Sequence, residues 1–340
     1  MKNNYQIYLY FLISLVLVSF GWWGSDSYKN YLNKNQELPS WNKPKPLEKY
    51  TIENLSKAKV EPSKINITET LVTDSNFTSK MFEFKFDPTL ENKNLKKVTG
   101  LINIPSEIGH FPIIVLIRGY IDQKNYKTGD GSKRVGEFLS KNGYITIAPD
   151  FLGYGGSDIE SENIFESRFQ TYTTILTLLK SINKENFLNW DGKNIFIWGH
   201  SNGGQIAITT LEITGENYPT ILWAPVTKPF PYSILYYTDE SDDHGKFIRN
   251  ELAKFESSYD IEKYSLTNYL DRIKAPITLI QGTNDDAVPY NWSENFVKSL
   301  KELNINSTYL IYPKADHNMN PVWGDVIIKT LKVFNDLLEV

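Results

Sequence analysis

The sequence contains no cysteine, which excludes disulfide bonds, cysteine nucleophiles, iron–sulfur clusters and most structural zinc sites together. Histidine is also scarce. The four histidines form neither an H-E-x-x-H motif nor a paired spacing, and they are His110, His200, His244 and His317. A metal site built from histidines is therefore not expected, and any histidine chemistry must come from one imidazole at a time.

Neither sign of charge dominates the chain. The 36 Lys and Arg residues are balanced by 40 Asp and Glu residues, which gives a formal net charge of −4 at pH 7. No basic stripe of the kind that follows a phosphate backbone is present, so nucleic acid is not an expected partner. A chain of 340 residues is long enough for one large α/β domain with additions.

The amino-terminal region carries a long uncharged apolar stretch. Residues 5–23 come close to the roughly 20 residues that a membrane-spanning helix needs, and they end in two tryptophans, which favour the lipid–water boundary. We expect residues 1–23 to be a transmembrane anchor. The alternative is a cleaved secretory signal, because residues 19–21 offer small side chains where a signal peptidase cuts.

The orientation of this segment follows from the size of what comes after it. Lysines flank the apolar stretch on both sides, so the positive-inside rule does not decide its direction, but long domains are normally translocated. We therefore expect the rest of the chain to lie outside the cytoplasmic membrane, anchored or secreted. Residues 24–50 are rich in Asn, Lys and Pro and predict a spacer, which leaves residues 51–340 as the folded domain.

Two kinds of β pattern follow the spacer. KINITETLVT, SKMFEFKFD and KKVTGLINIP alternate largely between apolar and polar residues, which predicts antiparallel strands. PIIVLIRG, YITIAPD, NIFIWG, TILWAP, PITLIQG and STYLIYP are nearly continuous apolar runs, typical of strands covered on both faces. Helical periodicities separate most of these runs. The sequence therefore predicts an α/β fold with a mostly parallel, doubly wound sheet and antiparallel amino-terminal strands.

The segment IFIWGHSNGGQIAI, residues 195–208, breaks an apolar strand at a glycine and resumes as an apolar helix. Within it, Gly199 and Gly203 flank Ser201 in a G-x-S-x-G pattern. Between a strand and a helix this pattern places the serine on a sharp turn with its hydroxyl exposed, so Ser201 is a candidate nucleophile. The alternative is a glycine-rich turn whose serine only caps the helix.

A nucleophilic serine needs a base, and the base needs a carboxylate to hold its tautomer. Asp285 follows the apolar run of PITLIQG and His317 follows that of STYLIYP. Loops beyond the carboxyl ends of parallel strands converge at one edge of a sheet, so we predict that these two side chains meet Ser201 there. Asp286 is an alternative carboxylate, and either Asp285 or His317 alone is compatible with a local structural role.

Acyl transfer also needs two donors for the oxyanion. The backbone N–H of Asn202, directly after the serine, is one candidate, and that of Tyr120, after the strand IIVLI, is the other. Gly119 leaves room for a substrate at this second turn. Arg118 either steadies the turn through its guanidinium or contacts an anionic end of the substrate.

Five segments together resemble the signature blocks of the α/β-hydrolase superfamily, and in particular the catalytic domain of prolyl oligopeptidase-like (S9) serine peptidases and the esterases related to them. They are LIRGYID, IAPDFLGYGGSD, GHSNGG, QGTNDDAVP and ADHNM. The resemblance runs from about residue 112 to the carboxy-terminus and implies Ser201 as nucleophile, Asp285 rather than Asp286 as acid, and His317 as base. Arg118 departs from the family, which usually has a histidine there. The short amino-terminal part also leaves no room for the propeller that gates many S9 peptidases.

The connection between TILWAP and APITLI is too long for a plain crossover, so we expect a cap insertion at about residues 227–272. Its first half is aromatic, and its side chains either line a substrate pocket or pack the cap onto the sheet; they are Phe230, Tyr232, Tyr236 and Tyr237. Its acidic second half is expected to be a solvated loop rather than a calcium site, because no EF-type spacing is present.

The sequence thus predicts a serine hydrolase that cleaves a peptide or ester bond of a small substrate through an acyl-enzyme, without a cofactor. An S9-like peptidase is the first interpretation, and a carboxylesterase of the same fold is the alternative, favoured by the missing gate. A non-catalytic binding protein of this fold is a third hypothesis. That hypothesis would lead us to expect a missing triad residue, and none is missing.

Overall fold

The computed structural model describes residues 44–184, 189–238 and 241–338. The predicted anchor or signal and nearly all of the spacer therefore lie outside the described residues. Within the described ranges, no helix combines the length and apolar character needed to cross a bilayer. The compact unit starts at Leu47, and Leu47 and Tyr50 are both buried.

One sheet forms the centre of the described chain, with the strand order β1-β2-β3-β5-β4-β6-β7-β8-β9. The pairs from β1 to β5 are antiparallel and those from β5 to β9 are parallel, which confirms the predicted α/β class. The strands are β1 (Asn66–Thr73), β2 (Phe77–Phe86), β3 (Lys96–Pro105), β4 (Phe111–Ile117), β5 (Ile145–Pro149), β6 (Trp190–His200), β7 (Thr220–Trp223), β8 (Ile277–Gly282) and β9 (Ser307–Tyr312).

Helices cover both faces of this sheet. They are α1 (Ile52–Lys57), α2 (Lys133–Lys141), α3 (Ile164–Lys184), α4 (Asn202–Thr214), α5 (Tyr232–Leu235), α6 (Lys246–Glu256), α7 (Tyr290–Glu302) and α8 (Trp323–Leu338). Because successive side chains of a strand point to opposite faces, β4 contributes to two separate cores. Ile113 and Val115 pack with α3 and α4, whereas Ile114 and Leu116 pack with α2 and α8.

Strand β9 differs from the prediction that all six apolar runs are covered on both faces. None of its residues is fully buried, and Ile311 is 44% exposed. β9 pairs with β8 and ends the sheet. An edge position leaves one long side and part of a face open to solvent, and a short apolar run does not reveal where in the sheet it will lie.

The predicted cap region between β7 and β8 contains α5, α6 and three short 3₁₀ helices among its described residues. Phe230 is 3% exposed, and its ring packs against Phe165 and Phe169 of α3 and against Phe255 of α6. Of the two alternatives for Phe230, these contacts favour packing, because the ring belongs to the core that fastens this segment to the body of the domain.

Candidate active site

Ser201 occupies a strained turn between β6 and α4. Its φ of 56° and ψ of −123° are disfavoured for any residue except glycine, and such conformations cost about 1–3 kcal/mol. Strand β7 and the residues after it hold the turn in place: the Ser201 N–H donates to the Trp223 carbonyl, and the Ser201 carbonyl accepts from Val226 N, each at 3.0 Å. The serine therefore stands directly before the amino-terminus of α4, as the G-x-S-x-G pattern predicts.

Close backbone contacts explain the glycines around this turn. A Cβ on Gly203 would lie 2.0 Å from the carbonyl oxygen of Ile117, at the end of β4. A Cβ on Gly119 would lie 2.9 Å from the Cβ of Ser201. The turn after β4 therefore runs directly beside the serine, which only glycine allows at these two positions.

Asp285 and His317 meet at the same edge of the sheet, in the loops after β8 and β9. The Nδ1 of His317 lies 3.0 Å from both carboxylate oxygens of Asp285. The Asp285 side chain is fully buried and that of His317 is 14% exposed. The neighbouring Asp286 is exposed and makes no such contact, so the structure brings the histidine together with the first of the two aspartates.

Four groups donate hydrogen bonds to the Asp285 carboxylate. Besides His317, they are the Ala287 and Val288 N–H groups, at 3.0 and 2.8 Å, and Gln281 Nε2, at 2.8 Å. Burial raises the pKa of Asp285, but the hydrogen bonds from His317, Val288 and Gln281 outweigh it, and the pKa stands below its ordinary value. Asp285 is therefore a carboxylate at neutral pH, and as a pure acceptor it holds a proton on Nδ1 of His317.

Ser201 and His317 are near each other without a direct hydrogen bond. The ring centre of His317 lies 4.7 Å from that of His200, the residue immediately before Ser201, and the two rings are tilted by 39°. Among the residues that the structure describes, no bond within 3.5 Å joins Ser201 Oγ to His317 Nε2. In enzymes without substrate this contact is often long and shortens when substrate binds.

The two predicted oxyanion donors lie on one cavity. The turn after β4 and the start of α4 both line it, and these segments contain Tyr120 and Asn202. Neither backbone N–H donates to another group in the described part of the chain. Two free amides beside a strained serine form a suitable site for a carbonyl oxygen that gains negative charge.

The model of the prolyl oligopeptidase family (Peptidase_S9) matches residues 133–326, which is more than half of the chain. The chain belongs to this family. The match confirms the resemblance seen in the sequence, and with it the prediction of a hydrolase, and it includes the turn at Ser201, Asp285 and His317.

Relatives and structures agree with this membership. Over 240 residues the chain is 23% identical to the uncharacterized peptidase YtmA of Bacillus subtilis (strain 168), which covers 69% of this chain and 87% of that protein. Over 217 residues it is 24% identical to the dipeptidyl peptidase family member 6 of Caenorhabditis elegans, which covers 61% of this chain but only 28% of that protein. The acetyl xylan esterase from Paenibacillus sp. R4 matches 86% of this chain and 98% of its own, with a TM-score of 0.62 at 16% identity, which confirms the α/β-hydrolase fold.

Arg118, which replaces the usual histidine of the prolyl oligopeptidase family, is held inside the protein. It is 6% exposed, and its two terminal nitrogens donate to the carbonyl oxygens of Gly119 and Asp150 at 2.9 and 3.0 Å. The guanidinium carbon also lies 4.0 Å from the ring centre of Tyr154. These contacts favour the first of its two predicted roles, steadying the turn beside Ser201.

Tyr232 and Tyr236 form an exposed aromatic cluster with Trp292. Their ring centres lie 5.9 and 4.7 Å from that of Trp292, and the two tyrosines are 47% and 43% exposed. Trp292 packs on Val288, three residues beyond Asp285. The cluster therefore lies near the loop of the candidate acid, and a substrate-binding role for Tyr232 and Tyr236 stays a prediction.

Sequence reasoning missed two features of the site. His200 occupies the variable position of G-x-S-x-G, and the motif gives it no role, yet its Nε2 lies 3.0 Å from the carbonyl oxygen of His317. Arg168 lies within α3 and lines the cavity that contains Tyr120 and Asn202. One signal could have pointed to Arg168: it is a charged residue inside α3, and most of its neighbours in that helix are buried.

Proposed function

We propose that the protein is a serine hydrolase that cleaves peptide or ester bonds through an acyl-enzyme formed on Ser201. The observation that carries the proposal is the pairing of His317 Nδ1 with the buried Asp285 carboxylate at 3.0 Å, next to the strained turn of the serine. With its Nδ1 proton held by Asp285, His317 presents an unprotonated Nε2 as the base. This is the arrangement that converts a weak hydroxyl nucleophile into an effective one.

The reaction has two halves with the same participants. Ser201 Oγ attacks the carbonyl carbon while His317 Nε2 takes its proton, and the carbonyl oxygen becomes an oxyanion held by the Tyr120 and Asn202 amides. The tetrahedral intermediate collapses, the bond to the leaving nitrogen or oxygen breaks, and His317 returns the proton to that atom. Water then attacks the ester on Ser201 by the same route and releases the acid.

Peptidase activity is the first candidate, supported by the family and by its peptidase relatives. Carboxylesterase activity is the second candidate, since the chain also shares its fold with the acetyl xylan esterase from Paenibacillus sp. R4. Both activities use the same side chains and differ in the leaving group and in the shape of the pocket.

Two measurements test the proposal. A fluorophosphonate probe should label the protein covalently at Ser201 and leave the Ser201→Ala variant unlabelled, as read from the mass of the intact chain. Parallel assays on 4-nitrophenyl acyl esters and on aminoacyl-naphthylamides then separate the two candidates by kcat/KM. If the folded protein takes up no probe and hydrolyses neither class of substrate, the proposal is wrong.

We also infer that the catalytic unit lies outside the cytoplasmic membrane. The support is the uncharged apolar run at residues 5–23, followed by a spacer that begins with Gly24. Protease treatment of intact cells should remove an anchored domain, and a cleaved signal would instead release it into the medium. A domain that is cut only after lysis would contradict both forms of the inference.

A further inference from the structure

A cavity of about 240 Å³ lies beside the two free amides of the candidate oxyanion site. Its walls come from the turn after β4, the loop after β5, helix α3 and the start of α4, so it contains both Tyr120 and Asn202. Its volume is smaller than the roughly 300–1,000 Å³ of a complete ligand pocket. The cavity is therefore suited to one short group of a substrate next to the scissile carbonyl.

Arg168 lines this cavity, and its guanidinium is only partly used by the protein. Its Nη2 donates to Gln205 Oε1 at 2.5 Å. Its Nε is buried without a hydrogen-bond partner. Within the described ranges no carboxylate lies within 4.0 Å of Arg168, so its charge is not neutralised by an ion pair. A half-buried guanidinium without an ion pair is a favourable place for an anionic ligand.

Arg118 adds a second positive charge to the same cavity, and its Nε, like that of Arg168, is buried without a hydrogen-bond partner. Its Nη groups hold the Gly119 and Asp150 carbonyls, and the rings of Tyr126, Phe151 and Tyr154 surround it. These contacts hold both Nη groups of Arg118 in the wall, whereas the described hydrogen bond of the Arg168 Nη groups is the one from Nη2 to Gln205, so Arg168 is the cation more available to a ligand.

The acidic residue in the lining is Glu160, and its carboxylate already accepts hydrogen bonds from other side chains. Its carboxylate accepts hydrogen bonds from Gln123 Nε2, at 2.6 Å, and from the Ser167 hydroxyl. Glu160 also lines the adjoining groove, which contains Asp122 and Lys124. Two guanidinium groups against this one carboxylate leave the lining of the cavity with an excess of positive charge.

We propose that Arg168 determines specificity by binding a carboxylate that the substrate carries close to the scissile carbonyl. The inference rests on the proposed function, since it places this carboxylate beside the carbonyl that Ser201 attacks. An arginine offers a carboxylate two parallel N–H donors, and hydrogen bonds to ionised groups are the stronger kind. The favoured substrates are therefore acidic acyl or leaving groups rather than neutral ones.

Two matched pairs of esters test on which side of the bond the carboxylate lies. Mono-4-nitrophenyl adipate and 4-nitrophenyl hexanoate differ only at the far end of the acyl group. The ester 4-(hexanoyloxy)benzoate and its methyl ester differ only at the far end of the leaving group. The quantity measured is the ratio of kcat/KM for the charged member to that for the neutral member, in the full-length protein.

We expect the wild type to prefer the charged member of one pair. Arg168→Met should lower that ratio by about 10- to 100-fold, and Arg168→Lys, which keeps the charge but loses the planar fork, should lower it less. Arg134→Met is the matched control, because Arg134 is exposed and its guanidinium lies 3.5 Å from the ring centre of Trp323, whose ring is packed on α2 and β7. That control should leave both ratios unchanged.

Two further measurements use the wild type alone, so the test does not depend on folding of a variant. Added salt should lower the preferred ratio by screening the charge, and adipate should protect Ser201 from a fluorophosphonate more than hexanol does. If the neutral esters are cleaved but both ratios are the same in Arg168→Met and wild type, and adipate gives no protection, this inference is wrong and the serine hydrolase stands. If no ester is cleaved and no probe is bound, the proposed function itself has failed.

Discussion

The Nε2 of His200 lies 3.0 Å from the carbonyl oxygen of His317, and the two imidazole rings are 4.7 Å apart. A carbonyl only accepts hydrogen bonds, so His200 carries its proton on Nε2. Burial, and then the charge of His317, lower the pKa of His200 to about 4, which keeps the ring neutral at physiological pH. The residue before the nucleophile thus joins the end of β6 to the loop that presents the candidate base.

Replacing His200 should disturb the position of His317 more than it disturbs the fold. In His200→Phe the aromatic ring can still stack on Trp198, but the bond to the His317 carbonyl is lost, and a small displacement of the base costs about 10- to 100-fold in kcat. KM should change little, because His200 does not line the cavity that contains Tyr120. Steady-state kinetics with a thermal unfolding control measures this.

His200→Gln serves as the matched variant for that experiment, since its amide N–H₂ can restore the donor. Recovery of part of the lost kcat in the glutamine variant would assign the effect to the hydrogen bond. Equal kcat values in wild type and His200→Phe would contradict a positioning role.

Replacing Asp285, the carboxylate beside His317, should lower kcat severely, whereas replacing the neighbouring Asp286 should leave kcat unchanged. Asp285→Asn keeps the shape of the side chain but favours the wrong tautomer of His317, and we expect kcat to fall by about 10⁴-fold. Asp286→Asn should retain the wild-type kcat, because Asp286 is exposed and does not contact the histidine. Turnover of a chromogenic ester by both variants decides the point, and similar losses in the two would show that the acid is assigned wrongly.

Glu212 should make the protein less stable as the pH rises, whereas an ordinary paired carboxylate makes a protein more stable as the pH rises. It lies on α4, is completely buried, and its oxygens have no hydrogen-bond partner among the described groups. Burial raises its pKa well above the ordinary 4.5. Because the pKa of Glu212 is higher in the folded state than in the unfolded state, the folded state binds the proton more tightly. The resulting contribution to the free energy of unfolding is fully present below pH 4.5 and is lost as the pH rises towards the folded-state pKa.

Glu212→Gln should therefore stabilise the protein at neutral pH. Removing an ionisable group from this site is worth about 1–3 kcal/mol in the free energy of unfolding, and the gain should shrink as the pH falls towards 4.5. Glu216→Gln is the control, because Glu216 is exposed just beyond the same helix. Denaturant unfolding at two pH values measures both, and a glutamine variant less stable than wild type at neutral pH would refute the account.

Much of this site could be predicted because its parts depend on local pattern. Apolar runs mark β4 to β8, and the loops after parallel strands converge, so the sequence alone predicts Asp285 and His317 at one edge of the sheet. Gly203 belongs to the G-x-S-x-G pattern and Gly119 to the turn after β4, and the close contacts of both explain why these positions need glycine.

What the sequence could not supply depends on tertiary placement. The exposure of β9 follows from its position at the end of the sheet, and the burial of Phe230 follows from its contact with α3, far away along the chain. Arg168 lies within a helix whose pattern indicates only packing, and its proximity to Tyr120 appears once α3 is placed beside the turn after β4. No local pattern encodes these relationships.

The most direct test of the central claim is the turnover of Ser201→Ala, measured beside wild type on the best ester or peptide of a substrate panel. The alanine should keep the fold, as judged by an unchanged unfolding transition, and lose kcat by a factor on the order of 10⁶. A cleanly prepared, folded Ser201→Ala protein that still hydrolyses the substrate at a rate near that of wild type would contradict the assignment of this serine as the nucleophile.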